Sequence, residues 1–164
     1  MSKYLGIDAS TQSMTGLIID SETERIDEEA SVNFDEHFAE RYGVRNGVLE
    51  LAENVIHSPP LMWAEALELL LSRLRDRGLL GEVATITGSG QQHGTVYFNE
   101  SAEKILSSLR SEGDLASQIG GMFSRRTSPV WMDTSTSEQC RQIEEGVGGR
   151  EKLLELTGNT AFER

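Results

Sequence analysis

A chain of 164 residues, 37% of them hydrophobic and 26% charged, is long enough to bury a core without disulfide or metal staples. A single cysteine, Cys140, excludes an internal disulfide and a cysteine-rich metal site, and His37, His57 and His93 are too dispersed to suggest zinc. A formal net charge of −12 excludes the broad basic footprint of a nucleic-acid binder, and no apolar run is long enough to cross a membrane, so the expected setting is cytoplasmic.

Taken in chain order, Tyr4-Leu5-Gly6-Ile7-Asp8 and Met14-Thr15-Gly16-Leu17-Ile18-Ile19-Asp20 are apolar, β-prone runs that read as a hairpin. Its loop carries the hydroxyls of Ser10, Thr11 and Ser13. Those residues suit an anion, and Asp8 at the strand end suits a magnesium ion held through water, although a plain polar turn fits the same pattern. Nine acidic residues between Asp20 and Glu40 face only Arg25, which predicts a solvated third strand over about Arg25–Phe34. Gly43 and Gly47 break any helical period after it, so residues 37–57 are expected to form a long surface excursion.

Ser58-Pro59-Pro60 punctuates the chain, and Leu61, Met62, Ala64, Leu67, Leu70, Leu71 and Leu74 then recur at helical spacing up to Gly78. Glu82–Thr87 reads as a buried strand leading into Gly88-Ser89-Gly90-Gln91-Gln92-His93-Gly94. Thr95–Phe98 reads as a strand leaving that loop. Short helices are expected over Ser101–Leu109, from Glu138 to Gly146 and over Gly149–Leu156, with a short buried strand at Pro129–Asp133. The order of strands and helices predicts an α/β domain with a mixed sheet, flanking helices and a ligand loop at a strand end.

Three glycines in seven residues allow a ligand to approach the backbone closely, and Gln91, Gln92 and His93 supply donors and acceptors suited to a polyhydroxylated molecule. A dinucleotide fingerprint does not fit, because its third glycine position falls on His93 and the following run is not helical. No Gly-Lys-Ser/Thr is present for a P-loop, and Thr87 stands where a hydrolase nucleophile elbow around Ser89 needs glycine.

Together Asp8-x-Ser10-Thr11-Gln12, Ser58-Pro59-Pro60-Leu61-Met62-Trp63, Gly88-x-Gly90-Gln91-Gln92-His93-Gly94, Pro129-Val130-Trp131-Met132-Asp133, Gln139-Cys140-Arg141-Gln142 and Leu156-Thr157-Gly158 resemble the N-terminal part of the FGGY carbohydrate kinases, in the branch acting on D-xylulose. The resemblance implies a ribonuclease-H-like, actin-like ATPase fold of which residues 1–164 are a truncated N-terminal sugar-binding domain, the C-terminal ATP-binding domain lying outside this chain. It implies ATP-dependent phosphorylation of a ketopentose, D-xylulose to D-xylulose 5-phosphate, with Mg2+, by the longer protein, and little activity in this piece alone. A stand-alone sugar-binding or interaction module derived from such a kinase is the alternative. The resemblance assigns Asp8 to the magnesium and transferring phosphate, Ser10, Thr11 and Gln12 to the phosphate-facing hairpin, and Gln92, His93 and Arg164 to the sugar. The general base of these kinases lies beyond Arg164, and Asp133 is expected mainly to order its own loop. Ser10 departs from the glycine found there in most of the wider family.

Overall fold

The computed structural model describes residues 3–163. Strands β1 (Lys3–Ala9), β2 (Ser13–Asp20) and β3 (Arg25–Asn33) form an antiparallel meander. Helix α1 (Phe34–Tyr42) and the hairpin of β4 (Leu49–Ala52) and β5 (Val55–Ser58) lead into helix α2 (Pro60–Asp76), after which β6 (Val83–Gly90) returns to the sheet parallel to β1. The resulting mixed sheet has the order β3-β2-β1-β6. Helices α3 (Ala102–Ser107) and α4 (Leu115–Ile119), the two-residue strand β7 (Ser128–Pro129) and helices α5 (Ser137–Val147) and α6 (Arg150–Thr157) complete the described chain.

Helix α2 organises the packing because two of its faces are apolar. One face lays Met62, Ala66, Leu70 and Leu74 on Leu5, Met14, Ile18, Ala30 and Val32 of the sheet, with Phe34 and Phe38 closing the end. Gly16 lets the helix come close there, since a β-carbon at that position would lie 3.3 Å from Leu70. The other face turns Ala64 toward Ala102, Ala116, Ile119 and Met122. Pro60 sits at the helix start, where its missing N–H leaves nothing unpaired.

Four expectations need correction. Residues 37–57 are not an excursion, because Asn33 caps α1 and Asp35 accepts hydrogen bonds from the N–H groups of Asn46 (2.6 Å) and Gly47 (2.7 Å), pinning the segment to the domain. The strand at 82–87 forms, but β6 is the sheet's edge and most of it is exposed, with Ile86 at 56%. Thr95–Phe98 makes no strand; isolated contacts hold it, among them a Phe98–Phe123 bridge, the Ser124 N–H bonded to the Tyr97 carbonyl and the Thr95 N–H bonded to the Pro129 carbonyl. The strand expected at Pro129–Asp133 shrinks to β7, because Val130 and Asp133 already turn into the next loop. Ser101 begins α3 without a side-chain cap; the Asn99 carboxamide takes that role by accepting the Ser101 N–H.

The sheet face opposite α2 is bare, exposing Tyr4, Ile19 and Ile26, and α5 and α6 leave Ile143, Leu154 and Leu156 in solvent. The accessible surface of 10562 Å² exceeds the about 8,100 Å² of a compact monomer of this length. Among the described residues no helix is long and apolar enough to cross a membrane.

Gly47 is buried with φ at 74–76° in common with Gly43, and a β-carbon on it would meet the Thr11 carbonyl at 2.0 Å. The Gly47→Ala protein should therefore lose about 2 kcal/mol or more of stability and shift the β1–β2 turn; urea unfolding reads the first, and an unchanged midpoint would contradict the close approach.

Candidate functional site

Parallel pairing of β1 with β6 sets the site. Asp8 stands opposite Ser89 and Ala9 opposite Gly90, so both strands end side by side and their loops, 10–12 and 91–94, open on one cleft. The cleft holds about 390 Å³ and is lined by Asp8, Ser10, Thr11, Gln91, Gln92, His93 and Trp131, among others. Six of the seven sequence-predicted site residues lie at or beside it: Asp8, Ser10, Thr11, Gln92 and His93 line it, and Gln12 faces an adjoining 650 Å³ depression beyond the turn. Arg164, the seventh, lies outside the described residues.

Among the described residues Asp8 is the only carboxylate lining the cleft. The hydroxyl of Ser10 donates to its Oδ2, and that of Ser89 donates to Oδ1 at 2.6 Å. These bonds favour the charged form and hold the carboxyl below its ordinary value, the Ser10 bond most strongly. A carboxylate so held is a poor proton acceptor and a good fixed negative charge. Among the described residues no group of three or more His, Cys, Asp or Glu converges as a metal cage. Asp8 alone suits a cation that keeps most of its water, as magnesium does.

The two loops are tied together. The Gln91 carboxamide donates from Nε2 to the Ser10 carbonyl at 3.3 Å, and the Trp131 indole donates to Thr11 Oγ1 at 3.0 Å. Because Thr11 accepts that bond, its own hydroxyl proton stays free to donate. The turn is also held from behind, where the Phe34 N–H donates to the Gln12 carbonyl at 2.8 Å and Gly47 lies against Thr11. His93 adopts a left-handed backbone with φ at 61°, uncommon for a residue with a side chain, and both it and Gln92 are exposed at the cleft.

Behind the cleft, a recess of about 230 Å³ is lined by Trp63, Gln91, Ala9 and Gly94 among others. Trp63 Nε1, a donor, and Gln91 Oε1, an acceptor, are both buried there without a partner. Ser89 and Trp131 brace the cleft and were not assigned by the sequence reading, which took Gln91 as a ligand contact and not as the tie to Ser10. Ser89 was legible only from its register opposite Asp8, and Trp131 only from a contact spanning 120 positions.

Asp133 is buried and structural. It accepts the Ile56 N–H (2.9 Å), the Ser135 N–H (3.1 Å) and the Ser135 hydroxyl (2.6 Å), and lies 3.4 Å from His57 Nε2. Burial opposes its ionisation, but the bonds from Ser135 and Ile56 outweigh it and hold the carboxyl below its ordinary value. It thus fixes the β5 segment to the loop after Trp131.

The depressed Asp8 value means that its contribution to stability is complete above the ordinary carboxylate value and is lost as pH falls through the lower one. Ser89→Ala should move the Asp8 titration upward toward that ordinary value and Ser10→Ala should move it further, read by carboxyl carbon NMR; an unmoved titration in both would contradict the hydrogen bonds as its cause.

No family model matches the chain. Over 166 residues it is 41% identical to Xylulose kinase 2 of Arabidopsis thaliana, covering 99% of this chain and 29% of that protein. It is 40% identical over 162 residues to the Xylulose kinase of Mus musculus, covering 98% of this chain and 29% of the relative. The chain therefore spans about three-tenths of the length of the relatives it matches. The crystal structure of xylulose kinase from Bifidobacterium adolescentis superposes with a TM-score of 0.63 at 19% identity, covering 99% of this chain and 27% of that one. The mixed sheet and flanking helices are thus the actin-like fold of the sugar kinases, seen over a quarter of such a chain, and by sequence this chain is similar to about three-tenths of the length of the xylulose kinases it matches.

Proposed function

We propose that the longer protein transfers the γ-phosphate of ATP to D-xylulose, giving D-xylulose 5-phosphate, and that residues 1–164 form the sugar side of its cleft. The single observation that carries this reading is the meeting of the Asp8–Gln12 and Gly90–Gly94 loops at one cleft, from strands 81 positions apart at Asp8 and Ser89. The xylulose kinases named above supply the substrate class.

In this reading Gln92 and His93 hydrogen-bond the hydroxyls of the ketose; Arg164, assigned to the sugar by the resemblance, lies outside the described residues. The recess beside them carries two unpartnered polar atoms, the Trp63 Nε1 donor and the Gln91 Oε1 acceptor. Ser10, Thr11 and Gln12 face the phosphate. The Ser10 hydroxyl is committed to Asp8 and its N–H to the Ser13 carbonyl, so the Thr11 hydroxyl and the Gln12 carboxamide are side-chain donors left for it. Asp8, ionised, holds Mg2+ through water. When bound, ATP supplies the phosphoryl group and Mg2+ offsets its charge.

Phosphoryl transfer depends on positioning and charge stabilisation from both sides of the cleft. Here one wall is present, and the bare sheet face and exposed α5–α6 surface favour part of a larger protein over a stand-alone sugar-binding or interaction module.

A coupled assay of the longer protein should give ATP turnover stimulated by D-xylulose above other ketoses, with His93→Ala raising KM at least about tenfold, near 1.4 kcal/mol. The 164-residue chain alone should give none. Turnover that no sugar stimulates, or sugar-dependent turnover by this chain alone, would contradict the reading.

A further inference from the structure

A second pocket, sharing no lining residue with the cleft, lies where α1, the start of α2 and the 123–127 loop meet. It holds about 710 Å³, within the range of small-molecule sites. Its charge runs against that of the molecule: three guanidinium groups line it and no carboxylate does, in a chain of net charge −12.

The three arginines are held in different ways. Arg41 is anchored by Glu65 at 2.9 Å, and Glu65 also accepts the Tyr42 hydroxyl at 2.6 Å, so that carboxylate is already shared. Arg125 stacks over the Tyr97 ring at 4.2 Å and carries no ion pair among the described residues. Arg126, exposed beside it, has no ion pair there either. Cations lining one pocket with no ion pair of their own repel each other, and an anion in that pocket offsets the cost. The loop that carries them is set rather than loose, because Ser124 bonds the Tyr97 carbonyl from both its N–H (2.9 Å) and its hydroxyl (3.1 Å), and the Thr127 hydroxyl bonds His57 Nδ1 at 2.9 Å. The remaining lining is apolar, from Pro59, Leu61 and Phe123.

Planar guanidinium forks match phosphate oxygens two at a time, and the apolar floor matches a ring or carbon skeleton carrying the phosphate. We propose that this pocket binds a small organic phosphate, its phosphate on Arg41, Arg125 and Arg126 and its apolar part on Pro59, Leu61 and Phe123. The site is separate from the proposed kinase cleft and does not depend on it.

Calorimetry with phenyl phosphate as the probe and phenol as its uncharged counterpart tests this on the 164-residue chain. Saturable phenyl phosphate binding is expected, weakened by added sodium chloride, with phenol binding at least roughly tenfold more weakly. The Arg125→Gln/Arg126→Gln protein should bind roughly tenfold more weakly, and Arg125→Lys/Arg126→Lys, which keeps the charge but loses the fork, should fall between the two. Both positions are exposed, and circular dichroism checks that the variants fold. Absence of saturable binding, phenol binding as tightly as phenyl phosphate, or undiminished binding by the double glutamine variant would each overturn the proposal.

Discussion

The parallel ladder between β1 and β6 fixes where chemistry can occur in this chain. A parallel pair cannot be closed by a tight turn; it needs a long crossover, supplied here by everything from β2 to α2. That crossover delivers a second strand end beside the first, with Asp8 facing Ser89 and Ala9 facing Gly90. Without it, the acidic hairpin and the glycine-rich loop would be two unrelated turns. With it they are two loops on one side of a cleft, cross-linked by Ser89 to Asp8 and Gln91 to Ser10.

Helix α2 keeps that ladder in place. It lies on the sheet through Leu70 and Leu74 and carries α3 and α4 on its opposite side through Ala64. The β4–β5 segment acts differently, pressing Gly47 against the β1–β2 turn from outside while Ser58 donates its hydroxyl to the Gly47 carbonyl. The turn is thus held between a buried glycine behind it and the Trp131 indole in front. Preorganisation of this kind lets a short polar turn serve a charged ligand without rearrangement.

Local periodicity made the β1–β2 hairpin, the exposed third strand and α2 legible, because each is decided by residues within one or two turns of each other. Residues 37–57 were misread since Gly43 and Gly47 look like helix breakers, whereas their role is a left-handed cap and a close approach that only tertiary contact defines. Val83, Ala84 and Ile86 look buried by composition, but β6 has a neighbour on one side only. For the site, the types and order of Asp8, Ser10, Thr11, Gln91, Gln92 and His93 were readable, whereas the ties of Gln91 to Ser10 and of Trp131 to Thr11 span 81 and 120 positions and leave no local signal.

The central claim is that two loops distant in sequence form one sugar-facing cleft. The most direct test is amide and indole NMR of the chain titrated with D-xylulose. Concerted shifts at residues 8–12, at residues 90–94 and at the Trp131 indole, saturating at one concentration, are predicted. Shifts confined to one loop, or centred elsewhere on the molecule, would contradict the account.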